Sequence, residues 1–228
     1  MGLGEIVSDE PRASATVVLV RDAEPALELL LLQRAPRADG AAGAWVFPGG
    51  KVEPRDRPRA EDEREAALRA AVRETHEEAG LALEAPSLVT ISRWITPEVA
   101  AKRFDTWFFL GAVPSHEAVR VDGSEIVDHR WIQPYTALEA HHAGEIRLAP
   151  PTFVTVTWLA EHRRAAEALS VLGGAETLTF RPNICRIQDG ACMLYPGDVG
   201  YESGDVEASG PRHRLWASPD GYRYERTR

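Results

Sequence analysis

The chain is poor in cysteine and methionine, with two of each among 228 residues, and short of basic residues relative to acidic ones. Two cysteines, Cys185 and Cys192, make no disulfide framework in a chain this long. They read either as partners on neighbouring strands or as two core thiols. No run of about 18 apolar residues occurs, which excludes a membrane-spanning helix. Met1 to Pro11 is polar and acidic and lacks the basic-then-apolar order of a secretion signal, so the expected address is the cytoplasm. With 26 Lys and Arg against 35 Asp and Glu, the formal net charge is −9. That argues against a duplex nucleic-acid partner, because phosphate backbones are held by a cationic surplus. An acidic protein can still take a phosphorylated small molecule where a metal ion supplies the positive charge. Neither an internal repeat nor a low-complexity tract is present.

What remains is ordinary globular material, 44% hydrophobic and 27% charged. Ala13 to Arg21 and Leu27 to Gln33 read as buried strands, Arg34 to Gly43 as a basic loop, and Trp45 to Gly50 as a short strand ending in a Pro-Gly-Gly turn. A helix is expected from about Ala60 to Ala79, stopped by Gly80, with small alanines on its narrow apolar face. Further strands are expected at Ser87 to Trp94, Phe104 to Val113 and Glu125 to Ile132, and one helix over Thr152 to Leu172. After Gly173-Gly174, short strands at 177–180, 184–187, 191–195, 213–216 and 222–224 predict a β-rich tail. The expected organisation is an α/β (α+β) domain over residues 1–172, with residues 173–228 as a β-rich extension packed on it. The tail is a candidate cover for the active site or a contact in a homodimer.

The segment Arg73-Glu74-Thr75-His76-Glu77-Glu78-Ala79-Gly80-Leu81 carries the chemistry. On a helix Glu74, Glu77 and Glu78 reach one side, and such crowding is unfavourable until a cation joins it. Mg²⁺ and Mn²⁺ prefer carboxylate oxygens and keep their remaining positions for water and phosphate. An acidic helix face in solvent is the bland alternative. His76, turned away from its neighbours around the helix, reads as a surface residue.

With Gly49-Gly50 upstream, this segment resembles the Nudix box, G-x5-E-x7-R-E-U-x-E-E-x-G-U with U apolar. Thr75 stands in an apolar slot, and fourteen residues separate Gly50 from Glu65 where the box has five. Glu65, Asp56 and Glu53 are therefore all open as the acid that pairs with Arg73. The resemblance implies a Nudix fold, a mixed sheet sandwiched between helices. It also implies metal ligation by Glu74, Glu77, Glu78 and the Gly50 carbonyl, with Arg73 as an orienting residue. The implied reaction is attack of an activated water on a diphosphate, with Glu77 or Glu78 as base and Mg²⁺ or Mn²⁺ as cofactor. Glu125 is a candidate further acid, or else a surface loop residue.

Leu30 to Gly50 is similar to the signature of Nudix coenzyme A diphosphatases, L-L-T-x-R-[SA]-x3-R-x3-G-x3-F-P-G-G, with Arg34, Ala35, Gly43 and Phe47-Pro48-Gly49-Gly50 in register and departures at Leu32 and Asp39. Trp94 to Pro97 and Arg103 to Leu110 also resemble the peroxisomal-type branch of that group. The substrate implied is a nucleoside-diphosphate-linked metabolite, with coenzyme A or an acyl-CoA first. ADP-ribose, a dinucleotide or a nucleoside triphosphate is the alternative within the class, and a catalytically silent ligand-binding module the alternative outside it. Arg34, Arg37, Trp45 and Arg103 are the candidate substrate contacts, Trp45 being equally a core residue by type.

Overall fold

Valine and leucine runs in the first part of the chain build the centre of a mixed sheet. The computed structural model describes residues 10–36, 43–58, 60 and 62–227. Strand β1 (Arg12–Arg21) sends Val17 and Leu19 to one face and Val18 and Val20 to the other, all fully buried. Strand β2 (Glu28–Arg34) does the same with Leu30 and Leu32 against Leu29 and Leu31. Strands apolar on both faces must be covered on both. Six more strands join them: β3 (Trp45–Val46), β4 (Gly49–Lys51), β5 (Val89–Ile95), β6 (Phe104–Ala112), β7 (Ile126–Ile132) and β8 (Leu178–Phe180). The order is β3-β2-β1-β6-β5-β8, with β4 paired to β1 and β7 to β2. The β1–β6 and β5–β8 pairs are parallel and the others antiparallel.

Helix α1 (Glu63–Ala79) covers one face. Ala67, Ala70, Ala71 and Ala79 lie against Val17, Leu19, Leu30 and Leu32, and their size lets the helix approach closely. Its start is set by Asp62, whose side chain accepts the Glu65 N–H at 2.7 Å, which is why it begins later than the expected Ala60. Its end is set by Gly80, in the left-handed region at φ 70°.

Helices α2 (Pro134–His142), α3 (Pro150–Leu159) and α4 (Ala165–Gly174) cover the other face. The single helix expected over Thr152 to Leu172 is thus two. No glycine or proline marks the break; long-range bonds impose it. The Arg163 carbonyl accepts the Leu27 N–H at 2.9 Å, and the Asp22 carboxylate accepts the Ala165 N–H at 2.9 Å, capping α4 from the β1–β2 connection.

Strands β9 (Asn183–Ile187), β10 (Gly190–Leu194), β11 (His213–Ser218) and β12 (Gly221–Arg226) form a second, antiparallel sheet in the order β12-β11-β10-β9. Phe180, Tyr195 and Leu215 enter the same core cluster as Phe153, Val154 and Leu159 of α3. Phe180 stacks on Trp94 of β5 with ring centroids 3.8 Å apart and an interplanar angle of 6°. Between β10 and β11 the fully buried Arg214 and Asp198 form a two-bonded ion pair at 2.6 and 2.7 Å, and the His213 N–H also donates to Asp198 at 2.7 Å. Cys185 and Cys192 sit directly opposite on β9 and β10, as free thiols. Among the described residues no helix is long and apolar enough to cross a membrane.

Candidate active site

The close approach of α1 to the sheet brings its acidic end onto Gly49-Gly50, which the sequence predicts as a turn and which begin strand β4. The Gly49 N–H donates to Glu78 Oε2 at 2.9 Å. A Cβ on Gly50 would fall on the Glu74 carboxylate, and one on Gly49 would fall on the Ala15 carbonyl oxygen. At Gly49 the clash is with backbone, so only glycine fits, whereas a side chain at Gly50 would have to displace the Glu74 carboxylate. Thr75, in the slot where the box has an apolar residue, is fully buried, its hydroxyl donating to the Ala71 carbonyl at 2.8 Å. A hydroxyl satisfied within its own helix packs as a small apolar side chain does.

Arg73 organises the acids. It donates two bonds to Asp56, at 3.0 and 2.9 Å, and others to Glu74 at 2.8 Å, Glu77 at 3.0 Å and the Lys51 carbonyl at 3.0 Å. Of the three candidate partners, Asp56 is therefore the one that holds it. Five residues separate Gly50 from Asp56, the spacing of the box, so the nine extra residues fall after the acid. Glu65 pairs with Arg69 instead, at 2.5 Å. Burial alone would raise the Asp56 carboxyl, but bonds from Arg73 and from the Glu53 N–H hold it below its ordinary value. Arg55 closes the group from outside, pairing with Glu53 at 2.8 Å and Glu77 at 3.2 Å.

Burial and the neighbouring Glu74 charge push Glu78 up to about 7, with Glu125 adding to the rise and the Gly49 N–H and Arg34 opposing it. Burial also raises Glu74, against the pull of Arg73 and with the push of Glu77 and Glu53. Burial thus disfavours the charged form of both glutamates, and a hard cation beside them would favour it. Their oxygen-only donor set suits Mg²⁺ or Mn²⁺. Among the described residues, however, no group of three or more His, Cys, Asp or Glu side chains is arranged as a ready-made metal site. Glu77 is turned to Arg55 and Arg73, and Glu78 to the Gly49 N–H.

Gly49 also borders a cleft of about 470 Å³. Arg34, a candidate substrate contact, lines it, and its charge acts on Glu78. Glu125 is exposed and close enough for its charge to act on Glu78. Of the two readings open for Trp45, its place is the core: it is 5% exposed, is absent from the cleft lining, and has the Arg130 guanidinium 4.8 Å from its ring centroid. Arg103 lies farther out, beside a neighbouring depression of about 350 Å³. Arg37 falls outside the described residues. The outer wall of the cleft is made by Pro182, Ile184, Met193 and Tyr195 of the tail; the sequence offers the tail as a cover but does not name these residues, because no local motif marks them.

Residues 10–151 match the family model of the NUDIX domain. Human acyl-coenzyme A diphosphatase NUDT19 is 34% identical over 117 residues, 48% of this chain and 31% of that protein. The Xenopus laevis acyl-coenzyme A diphosphatase NUDT19 is 29% identical over 136 residues, 56% of this chain and 35% of that protein. The match thus spans about a third of the length of these relatives. Among solved structures, a NUDIX hydrolase from Alicyclobacillus acidocaldarius superposes with a TM-score of 0.66 at 26% identity, covering 72% of this chain and 97% of that one. With more than half its length inside the family model, and the glycine pair and acidic helix end packed together, the chain belongs to the Nudix family.

Proposed function

We propose that the protein is a divalent-metal-dependent hydrolase of a diphosphate linkage, with coenzyme A or an acyl-CoA as first substrate. The observation that supports this most is the docking of Glu74 and Glu78 on Gly50 and Gly49 at one end of a cleft that also presents Arg34. In this reading Glu74, Glu77, Glu78 and the Gly50 carbonyl hold Mg²⁺ or Mn²⁺. When bound, the cation polarises the phosphates and acidifies water. Arg34 meets a phosphate, since a guanidinium fork matches phosphate oxygens. Arg73, tied to Asp56, fixes the carboxylates of Glu74 and Glu77.

Water adds to one phosphorus, the bond from that phosphorus to the bridging oxygen breaks, and two phosphate monoesters leave. Glu78 takes the water's proton. It is bonded to one backbone N–H, whereas Glu77 is engaged by two arginines. Glu125 completes the acidic rim. Residues 1–172 carry the chemistry, and residues 173–228 act as an extension that completes the cleft.

The test is turnover of coenzyme A, ADP-ribose, a dinucleotide tetraphosphate and a nucleoside triphosphate with Mg²⁺ and with Mn²⁺. Release of 3′,5′-ADP and a phosphopantetheine from coenzyme A is expected, and Glu78→Gln should lower kcat by roughly 10²- to 10⁴-fold. A chain inert toward all four, with either metal, sinks the reading. Activity confined to ADP-ribose sinks its substrate half.

A further inference from the structure

We propose that β9 and β10, which lie beyond the family-matched segment, form a selectivity wall on which Ile184 and Met193 receive an alkyl or acyl chain carried by the diphosphate substrate. The proposal rests on the functional reading above and deepens it. The matched segment ends at residue 151, yet the cleft that starts at Gly49 and Arg34 is walled at its other side by Pro182, Ile184, Met193 and Tyr195. Substrate discrimination at this end is therefore built from residues that the family pattern does not contain.

The chemistry of the wall points to an apolar chain. Ile184 is 39% exposed, a large aliphatic side chain open to water beside the half-buried Met193. A thioether chain adapts its shape to a flexible ligand. Met193 rests on a fixed aromatic base, and Ile184 is its direct partner on β9. Tyr195 is fully buried, with its ring 4.9 Å from Phe180 and 5.6 Å from Trp94, and Phe180 covers one face of Trp94.

A nucleobase would ask for different partners, namely an open ring face and free donors or acceptors for its edge. Trp94 is 6% exposed, and Phe47 packs edge-on against Phe108, both rings being buried. Three of the polar side chains along the cleft are already engaged. Thr106 is bonded to Ser14 at 2.6 Å, Thr96 accepts the Phe104 N–H at 3.1 Å, and the Tyr195 hydroxyl lies on the Met193 sulfur at 4.0 Å. A hydrocarbon chain needs none of them, and removing its methylenes from water supplies the binding.

Hydrolysis by the full chain of ADP-ribose, coenzyme A and the acetyl, butanoyl and octanoyl thioesters of coenzyme A, with Mg²⁺, tests this. Full burial of one methylene is worth about fourfold, so partial burial of six should raise kcat/KM from acetyl to octanoyl by about tenfold or more. Ile184→Asp should bring that ratio down to within about threefold of unity, Met193→Gln should reduce it, and Met193→Leu should keep it. Ile184 lies exposed on the outer strand of its sheet, and equal melting temperatures would exclude a folding defect. If coenzyme A is hydrolysed but the ratio is flat, or is unchanged in both polar variants, the wall proposal is overturned and the functional reading stands; hydrolysis of ADP-ribose alone overturns the wall proposal together with the substrate half of that reading. If none of the five compounds is hydrolysed, the functional reading is overturned and the wall proposal goes with it.

Discussion

Arg73 has five acceptors, and the identity of its main one decides how the active-site turn is held. Asp56 is 4% exposed and bonds both nitrogens of one guanidinium edge. Asp56→Ala leaves a largely buried cation short of its partner, so an unfolding free energy lower by about 3 kcal/mol is expected in urea denaturation. Glu65→Ala removes only a half-open ion pair one helical turn apart, and should lower it by less than about 0.5 kcal/mol. Equal effects would contradict the assignment of Asp56. At Gly50 any side chain meets the Glu74 carboxylate. Gly50→Ala should therefore cut kcat by about 100-fold or more while the far-ultraviolet dichroism stays native, because a displacement near 1 Å suffices for such a loss. The glutamates themselves were legible, since their spacing on a helix is a local matter. The partner of Arg73 was not. Glu53, Asp56 and Glu65 are alike in type, and only the path of the loop after Gly50 chooses among them.

Elements whose signals are local match the sequence reading to within a few residues, among them β1, β2, β6 and the Gly80 stop of α1. Misreading occurred where tertiary bonds overrode propensity, between α3 and α4. Asp22→Ala removes the distant cap on the Ala165 N–H and should lower stability by about 1 kcal/mol. The melting temperature should then drop by about 2–4 °C. The second sheet carries its own test. Burial would raise the Asp198 carboxyl, yet bonds from Arg214, His213 and Gly200 hold it at about 2, below its ordinary 3.8. A depressed folded value means that its stabilisation is present above the ordinary value and is lost as pH falls from about 4 to 2. The stability gap between the unaltered protein and Asp198→Asn should accordingly be full at pH 6 and shrink over that interval. A constant gap in acid-titrated urea melts would refute the pairing.

At the scale of the whole molecule, the mixed sheet between helices was legible through the resemblance to the Nudix box, and strands apolar on both faces agree with it because they demand two covers. The tail was open as a cover, but which of its residues wall the cleft was not legible, because that depends on where a remote segment pairs and no residue in it announces a partner. Phe180, Tyr195 and Leu215 share the core of α3. A chain ending at residue 172 should therefore melt without cooperativity and bind a hydrophobic dye, whereas a native-like transition would show that the first 172 residues stand alone. The parallel seating of β8 on β5 has a further bearing on how this protein is made. Until residues 178–180 leave the ribosome, β5 is a bare sheet margin with Trp94 uncovered beside it, an invitation to pair with other chains. The acidic helix is synthesised about a hundred residues before the strand that seals this margin. A nascent chain thus carries the residues of its catalytic site well before it has a finished place for substrate, and the margin stays exposed until β8 is made.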